Sequence, residues 1–195
     1  MSQERLNSLH DEVMQLTRIV EDLKLINRAE AGVLELREEE FSATELLSRT
    51  ASGFETRFDT HLIQVKQDFD DTIKTMVRGD SERLRQVYEN LMENVIRHVQ
   101  GPAVLTLKSR VKHSHLVLCL CDDGPGVDEN MLPHLFDRFF RADESRSRTS
   151  GGSGLGLAIC KNLVEAQAGQ IEAHANQPRG LCIRISLPLV REDQA

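Results

Sequence analysis

The first thirty residues carry the pattern that most restricts how this chain can fold. Leu6, Leu9, Val13, Leu16, Val20, Leu23 and Asn27 recur at intervals of 3, 4, 3, 4, 3 and 4, an a/d heptad seam that Ile19 and Ile26 widen. The spacing predicts a helical rod over residues 4–28, about 37 Å long at 1.5 Å of rise per residue. A lone rod of this kind leaves its seam in water, so it requires a partner helix. No second segment of the same kind lies nearby, and the partner is expected from another chain or from sequence outside this one.

Ala31-Gly32 ends the rod, and Val33 to Glu40 alternates weakly, as a short edge strand or a linker. Phe41 to about Phe58 reads as an amphipathic helix with Ser42 or Thr44 as N-cap. Residues 62–69 and 73–78 read as a pair of strands. Gly79-Asp80-Ser81 caps a strong helix from Glu82 to about His98. A second strand pair, 103–111 and 115–121, flanks Lys112-His113-Ser114. After it come a glycine turn, a short helix near 128–135, a polar stretch over 143–153, a helix over 155–167, and strands at 170–175 and 181–187.

Charge narrows the function classes. The 195 residues include 24 basic and 31 acidic side chains, a net charge of −7. That disfavours a nucleic-acid binder, whose affinity rests on Lys and Arg neutralising phosphates. No apolar run approaches the ~20 residues that cross a bilayer, and the opening MSQERLNSLH has no secretory apolar core. The four cysteines, Cys119, Cys121, Cys160 and Cys182, form no C-x-x-C pair. They are expected to be buried, reduced thiols, with Cys119 and Cys121 on one face of a strand.

Three stretches carry candidate chemistry. On the 82–98 helix, Asn90 and Asn94 are four residues apart and lie one above the other, with Arg97 on nearly the same face. Two carboxamides and a guanidinium suit Mg²⁺ and phosphate oxygens, although a solvated polar face has the same composition. Next, Asp122-Asp123-Gly124-Pro125-Gly126 closes an apolar strand. An Asp there can accept from an exocyclic amine, while the glycines allow close approach; taken alone, the segment is also an ordinary tight turn. Last, Gly151-Gly152-Ser153-Gly154-Leu155-Gly156-Leu157 opens a helix, where backbone N–H groups point at phosphates. It has no Walker Lys-Ser/Thr pair. A flexible linker has a similar composition, but Leu155, Leu157, Ile159, Leu163 and Val164 argue for a packed helix behind it.

The order of an Asn-bearing helix, DDGPGV, FDRFFR and GGSGLGLAIC resembles the N, G1, F and G2 boxes of bacterial sensor histidine kinases. The match covers residues 41–195. Residues 5–31 resemble the second helix of that family's dimerisation hairpin, and the RADESRSRTSGGSGLGLAIC segment looks closest to the BaeS-type envelope-stress sensors. The resemblance implies an α/β (α+β) two-layer sandwich of the Bergerat ATP-binding type, a mixed sheet with helices near 42–58, 82–98 and 155–167 on one face. It divides the chain into a hairpin helix at 1–31 with the first helix absent, a linker at 32–40 and a catalytic ATP-binding domain at 41–195. ATP would lie between the helix layer and a lid, away from the sheet's open face.

Carried over, the resemblance assigns Mg²⁺ to Asn94 with Asn90 assisting, and places Arg97 toward the phosphates and His98 beside the nucleoside. Asp122 would accept from the adenine amino group, and Gly124 and Gly126 would shape the loop there. Phe136, Phe139 and Phe140 would anchor the lid, from which Arg141, Arg146 or Arg148 would reach the phosphates. Gly152, Gly154, Leu155 and Gly156 would form the hinge and the phosphate-facing turn. The implied partners are a homodimeric hairpin carrying the acceptor histidine and a response regulator. The implied place is the cytoplasmic side of an inner-membrane sensor, with no membrane contact by this segment.

Two features depart from the family pattern. His98 stands where an aromatic phenol is frequent, which introduces a group that titrates near neutrality. The phosphoacceptor box is absent: His10-Asp11-Glu12-Val13 lacks the Arg-Thr-Pro continuation, so the acceptor is expected elsewhere. His61, His113, His115, His134 and His174 read as surface or satisfied histidines. Related hydrolases such as DNA gyrase carry a Glu four residues before the metal-binding Asn, where this chain has Asn90, which disfavours a hydrolytic clamp. The alternatives are a serine switch kinase of the same fold and a nucleotide-binding fragment inactive on its own.

Overall fold

The computed structural model of the chain describes residues 3–70, 75–99, 101–142 and 153–190. In chain order the elements are α1 (Gln3–Glu30), β1 (Glu39–Phe41), α2 (Ala43–Gly53), α3 (Glu55–Thr60), β2 (Ile63–Phe69), β3 (Val77–Gly79), α4 (Ser81–His98), β4 (Ala103–Lys112), β5 (His115–Asp122), a 3-10 helix (Glu129–His134), α5 (Gly156–Glu165), β6 (Gln170–Ala175) and β7 (Leu181–Pro188). Five strands form one sheet in the order β2-β4-β5-β7-β6, parallel at β2–β4 and antiparallel elsewhere.

Strand periodicity decides which face is covered. Leu105 and Leu107 on β4, Leu116, Leu118 and Leu120 on β5, and Ile183, Ile185 and Leu187 on β7 are all buried. Alternate positions turn the other way, where Arg110 pairs with Asp68 and Arg184 approaches Glu172. Helices therefore cover one face only, as the two-layer expectation required. Helix α4 answers this face with a stripe at Leu84, Val87, Tyr88, Leu91, Met92, Val95 and Ile96. Each such side chain contributes roughly 1.5–3 kcal/mol on full burial. The stripe therefore far outweighs the few tenths that helix propensity supplies, and it fixes how α4 is rotated.

The start of α4 is set by Asp80. Its Oδ1 accepts from the Arg83 amide at 3.0 Å as N-cap, and its Oδ2 accepts from the Arg37 amide at 2.9 Å. Its own amide donates to Gln167 Oε1 at 2.8 Å. One buried residue thus joins the 32–40 segment, the head of α4 and the chain beyond α5.

Several local expectations are corrected. The single helix over 41–58 is two, α2 and α3, interrupted at Phe54 (φ −99, ψ 0), whose ring lies 5.8 Å from that of Phe58. Phe58 is buried, so the break turns an aromatic inward that a continuous helix would have carried past the core. The strands at 62–69 and 73–78 do not pair with each other. Strand β2 joins β4, where Ile63 and Val65 meet Ala103 and Leu105, whereas β3 pairs with β1 in a separate two-stranded sheet. Residues 73 and 74 lie outside the described residues. Nor are all four cysteines reduced thiols. Cys121 and Cys182 are directly opposed on β5 and β7, with Cα atoms 4.0 Å apart, and are joined as a disulfide. Alternation places a cysteine on a face but does not reveal which residue the neighbouring strand sets against it. Cys160 is a buried free thiol, and burial pushes its pKa up to about 12.

Helix α1 ends at Glu30, as the Ala31-Gly32 signal predicts, with Gly32 at φ +66. It lies against the sandwich through the two positions that widened the seam and one seam residue: Ile26 is fully buried, and Ile19 and the seam residue Leu23 pack on the core. Arg138 pairs with Glu30 and hydrogen-bonds Asn27 Oδ1 at 3.3 Å. The seam residues Leu9, Val13, Leu16 and Val20 remain about half exposed or more, at 53, 58, 62 and 49%.

Replacing Asp80 by Ala removes the cap of α4 and leaves the Arg37 amide without its acceptor. A loss of about 2–4 kcal/mol is expected from the two effects together, read as a lowered urea midpoint with an unchanged m-value.

Candidate functional site

A cavity of about 660 Å³ opens between α4, the turn after β5, the Leu135–Ala142 segment, the head of α5 and helix α1. Asn90, Glu93, Asn94, Arg97 and His98 line it from α4. Their spacing complements the buried stripe: the helix is amphipathic, and its polar edge faces the cavity. Asp122, Pro125, Gly126 and Val127 line it from the turn, Arg141 from the segment after the 3-10 helix, and Gly154, Gly156 and Leu157 from the start of α5.

The two aspartates ending β5 have separate tasks. Asp123 continues the ladder, its Oδ1 accepting from the Val104 amide at 2.7 Å. Asp122 turns into the cavity, and its Oδ1 accepts from the amides of Gly124 at 2.9 Å and Leu181 at 3.4 Å. Its Oδ2 makes no hydrogen bond among the described residues. Burial raises the Asp122 carboxyl above the ordinary carboxylate range, and the Gly124 and Leu181 amides oppose that shift without cancelling it. Behind Asp122, Asn176 Nδ2 donates to its carbonyl at 2.7 Å. Gly180, at φ +111, comes so close that a Cβ there would stand 1.9 Å from the same carbonyl oxygen.

Asn90 presents a different signal. Its Nδ2 is buried with no oxygen or nitrogen acceptor among the described residues, and the side chain meets only the Cys160 thiol, a weak acceptor. A carboxamide end at a cavity wall with only a thiol beside it costs free energy that a ligand oxygen would recover. As drawn it would donate to a phosphate oxygen, and rotated by 180° it would offer an oxygen to a cation. Glu93 is committed elsewhere, to a bidentate pair with Arg57 that holds its carboxyl below the usual range. Among the described residues no group of three His, Cys, Asp or Glu could hold a metal ion. A cation here would rely on carboxamide and ligand oxygens, which fits Mg²⁺.

The glycine turn is tied to the segment before it. Phe139 N donates to Gly154 O at 2.9 Å, and a Cβ on Gly154 (φ +70) would stand 2.9 Å from Phe139 Cα. Only glycine fits there. The head of α5 has no side-chain cap, and its first residues, Gly156 and Leu157, line the cavity, where uncapped helix amides suit an anion.

Of the sequence candidates, the structure gathers Asn90, Asn94, Arg97, His98, Asp122, Gly126, Arg141, Gly154 and Gly156 around one cavity. Gly124 acts one step back, through its bond to Asp122. Phe136 and Leu155 do not line the cavity: Phe136 packs against the core and Leu155 is fully buried in it. Their apolar side chains follow the core, not the ligand side of the turns that carry them. Phe140 does line the cavity, while Phe139 is 56% exposed. Arg146, Arg148 and Gly152 lie outside the described residues. Sequence reasoning missed the apolar walls, Leu135, Ile159 and Leu181, which look like ordinary core positions. It also missed the contribution of α1, because the heptad drew attention to the opposite side of that helix.

Comparison with known proteins places this arrangement. The family described as "Histidine kinase-, DNA gyrase B-, and HSP90-like ATPase" matches residues 79–191, which include α4, the aspartate turn and the glycine turn. The chain belongs to this family. It is 37% identical over 191 residues to the signal transduction histidine-protein kinase BaeS of Escherichia coli (strain K12), a match covering 98% of the chain and 40% of that relative. The chain therefore spans less than half of that protein. Among solved structures, the Acinetobacter baumannii histidine kinase AdeS superposes with a TM-score of 0.77 at 26% identity, over 98% of this chain and 87% of that one. Full-length ShkA in complex with AMPPNP shares the fold, with a TM-score of 0.81 at 22% identity over 96% of this chain and 39% of that one.

Gly180→Ala forces a side chain against the Asp122 carbonyl at a backbone angle that disfavours it. A destabilisation of about 2–4 kcal/mol is expected, measured by thermal or urea unfolding.

Proposed function

We propose that this chain is the ATP-binding catalytic part of a sensor histidine kinase, transferring the γ-phosphoryl group of ATP to a histidine outside the chain. The observation that carries this reading is the presence, in one cavity, of a buried carboxylate with an open oxygen together with carboxamides, arginines and the first residues of α5. The first suits an adenine amino group. The second suits a triphosphate, whose transfer depends chiefly on positioning and charge neutralisation. The residue boundaries go with the reading: 1–31 as a hairpin helix, 32–40 as linker and 41–195 as the catalytic region.

Asp122 Oδ2 would accept from the adenine amine while Oδ1 stays held by Gly124 and Leu181. Asn94 and Asn90 would hold Mg²⁺, which when bound spreads the charge on the phosphate oxygens. Arg97, Arg141 and the first amides of α5 would orient the phosphate tail. The attacking histidine nitrogen forms a bond to the γ-phosphorus, the bond to the β–γ bridging oxygen breaks, and ADP leaves. The phosphohistidine would then serve a response regulator. No helix among the described residues is long and apolar enough to cross a membrane, so an anchor at the inner membrane would belong to other parts of the protein. Asn90, standing four residues before Asn94 where the related hydrolases carry a glutamate, favours phosphoryl transfer over water activation.

Asp122→Asn keeps an acceptor for Gly124 and Leu181 but puts an NH₂ where Oδ2 stood. ATP affinity at pH 7 is expected to fall about 10–100-fold, measured by calorimetry. The fold is expected to be no less stable. With its folded pKa raised, Asp122 costs folding free energy once pH climbs above 3.8 and the desolvated group ionises, and the amide removes that cost. In the wild type, ATP binding should weaken on acidification as Asp122 takes up its proton, at a higher pH than an ordinary carboxylate would require.

The direct test of the reaction uses ATP labelled at the γ-phosphate with Mg²⁺, and this chain alone or mixed with a separately expressed hairpin bearing an acceptor histidine. Acid-labile, base-stable label on the hairpin, and only in the mixture, is the expected outcome. Label on this chain alone would refute an external acceptor, and acid-stable label would indicate a serine kinase.

A further inference from the structure

Helix α1 forms a wall of the cavity that nothing in the resemblance assigns to the nucleotide. Gln15, Arg18, Ile19 and Asp22, at intervals of 3, 1 and 3, share one face and line the same 660 Å³ space as Asn94 and Asp122. This face is distinct from the exposed seam of Leu9, Val13, Leu16 and Val20. It is held there by the buried Ile26 and by Arg138, which reaches Glu30 and Asn27. Helix α1 packs chiefly on α5, whose first residues Gly156 and Leu157 line the same cavity as Arg18.

We infer that Arg18 of α1 is a phosphate-binding residue that reaches the terminal phosphate of a bound nucleoside triphosphate. The inference rests on the ATP reading above. Arg18 is exposed at the cavity mouth and has no ion pair among the described residues, although Asp22 lies one turn further along. Asp22 is half-buried, and its carboxyl is raised by burial and then by Glu21. A carboxylate on this face repels phosphate, so Arg18 is the group on α1 that makes the wall attractive to an anion. A planar guanidinium suits bidentate contact with phosphate oxygens. With adenine at Asp122 and the phosphate tail at the head of α5, the helix on which α1 packs, the terminal phosphate is the part of the nucleotide assigned to Arg18. Arg18 therefore distinguishes ATP from ADP, and it makes the hairpin helix part of the nucleotide site.

The test measures Mg-ATP and ADP affinity by calorimetry for the full chain and for Arg18→Ala and Arg18→Lys. Arg18→Ala should lose about tenfold in ATP affinity and less than twofold in ADP affinity, with Arg18→Lys recovering part of the loss. Equal losses for both nucleotides would mean that Arg18 merely holds α1 in place, and unchanged ATP affinity would mean that it does not touch the phosphates. Either result overturns the inference while leaving ATP binding by the wild type intact. A wild-type chain that binds neither nucleotide would overturn the ATP reading and this inference together.

Discussion

The carboxylate of Asp80 sets the zero point of the structure. A helix can begin at any of several residues, and each choice rotates everything downstream by about 100° per residue. By accepting from both Arg83 and Arg37, Asp80 pins one choice. With that start, the stripe from Leu84 to Ile96 meets the sheet, and Asn90 and Asn94 arrive at the cavity wall. The bond from the Asp80 amide to Gln167 carries the same constraint to the far end of α5, whose head supplies the facing wall. The site is thus assembled by two helices whose relative position is fixed at their remote ends.

Much of this was legible in the sequence where local chemistry and tertiary demand agree. The cap at Asp80, the face shared by Asn90 and Asn94, the choice of Asp122 at a strand end and the glycine turn before α5 all follow from spacing and conformational preference. What was not legible depends on partners distant in the chain. The break at Phe54 exists because Phe58 has a buried place to go. Strand β2 joins β4 because Ile63 and Val65 find Ala103 and Leu105, which no pattern within 62–78 discloses. Cys182 becomes the neighbour of Cys121 through β5–β7 register. Leu155 and Phe136 sit in ligand-like motifs yet serve the core, since an apolar side chain in a turn is as often its anchor as its contact.

The cavity also shows why overall charge says little about a site. The chain is acidic by −7, yet Arg18, Arg97 and Arg141 converge on one space. Of the carboxylates there, Glu93 is tied up by Arg57, and burial disfavours the charged form of both Asp22 and Asp122. Pairing and desolvation therefore mute the negative groups around these three cations. A polyanion meets a favourable local field on a protein whose distant field repels it, which favours short-range capture over long-range steering, the more so at low salt.

The backbone bond between Phe139 and Gly154 closes the base of the intervening stretch independently of what that stretch contains. Closing a loop costs an entropy that grows only with the logarithm of its length, about 0.6 kcal/mol per doubling. The two sides of the cavity mouth are consequently insulated from insertions and deletions between them. A change of length there leaves the glycine turn at its base, and the cavity wall it joins, in place.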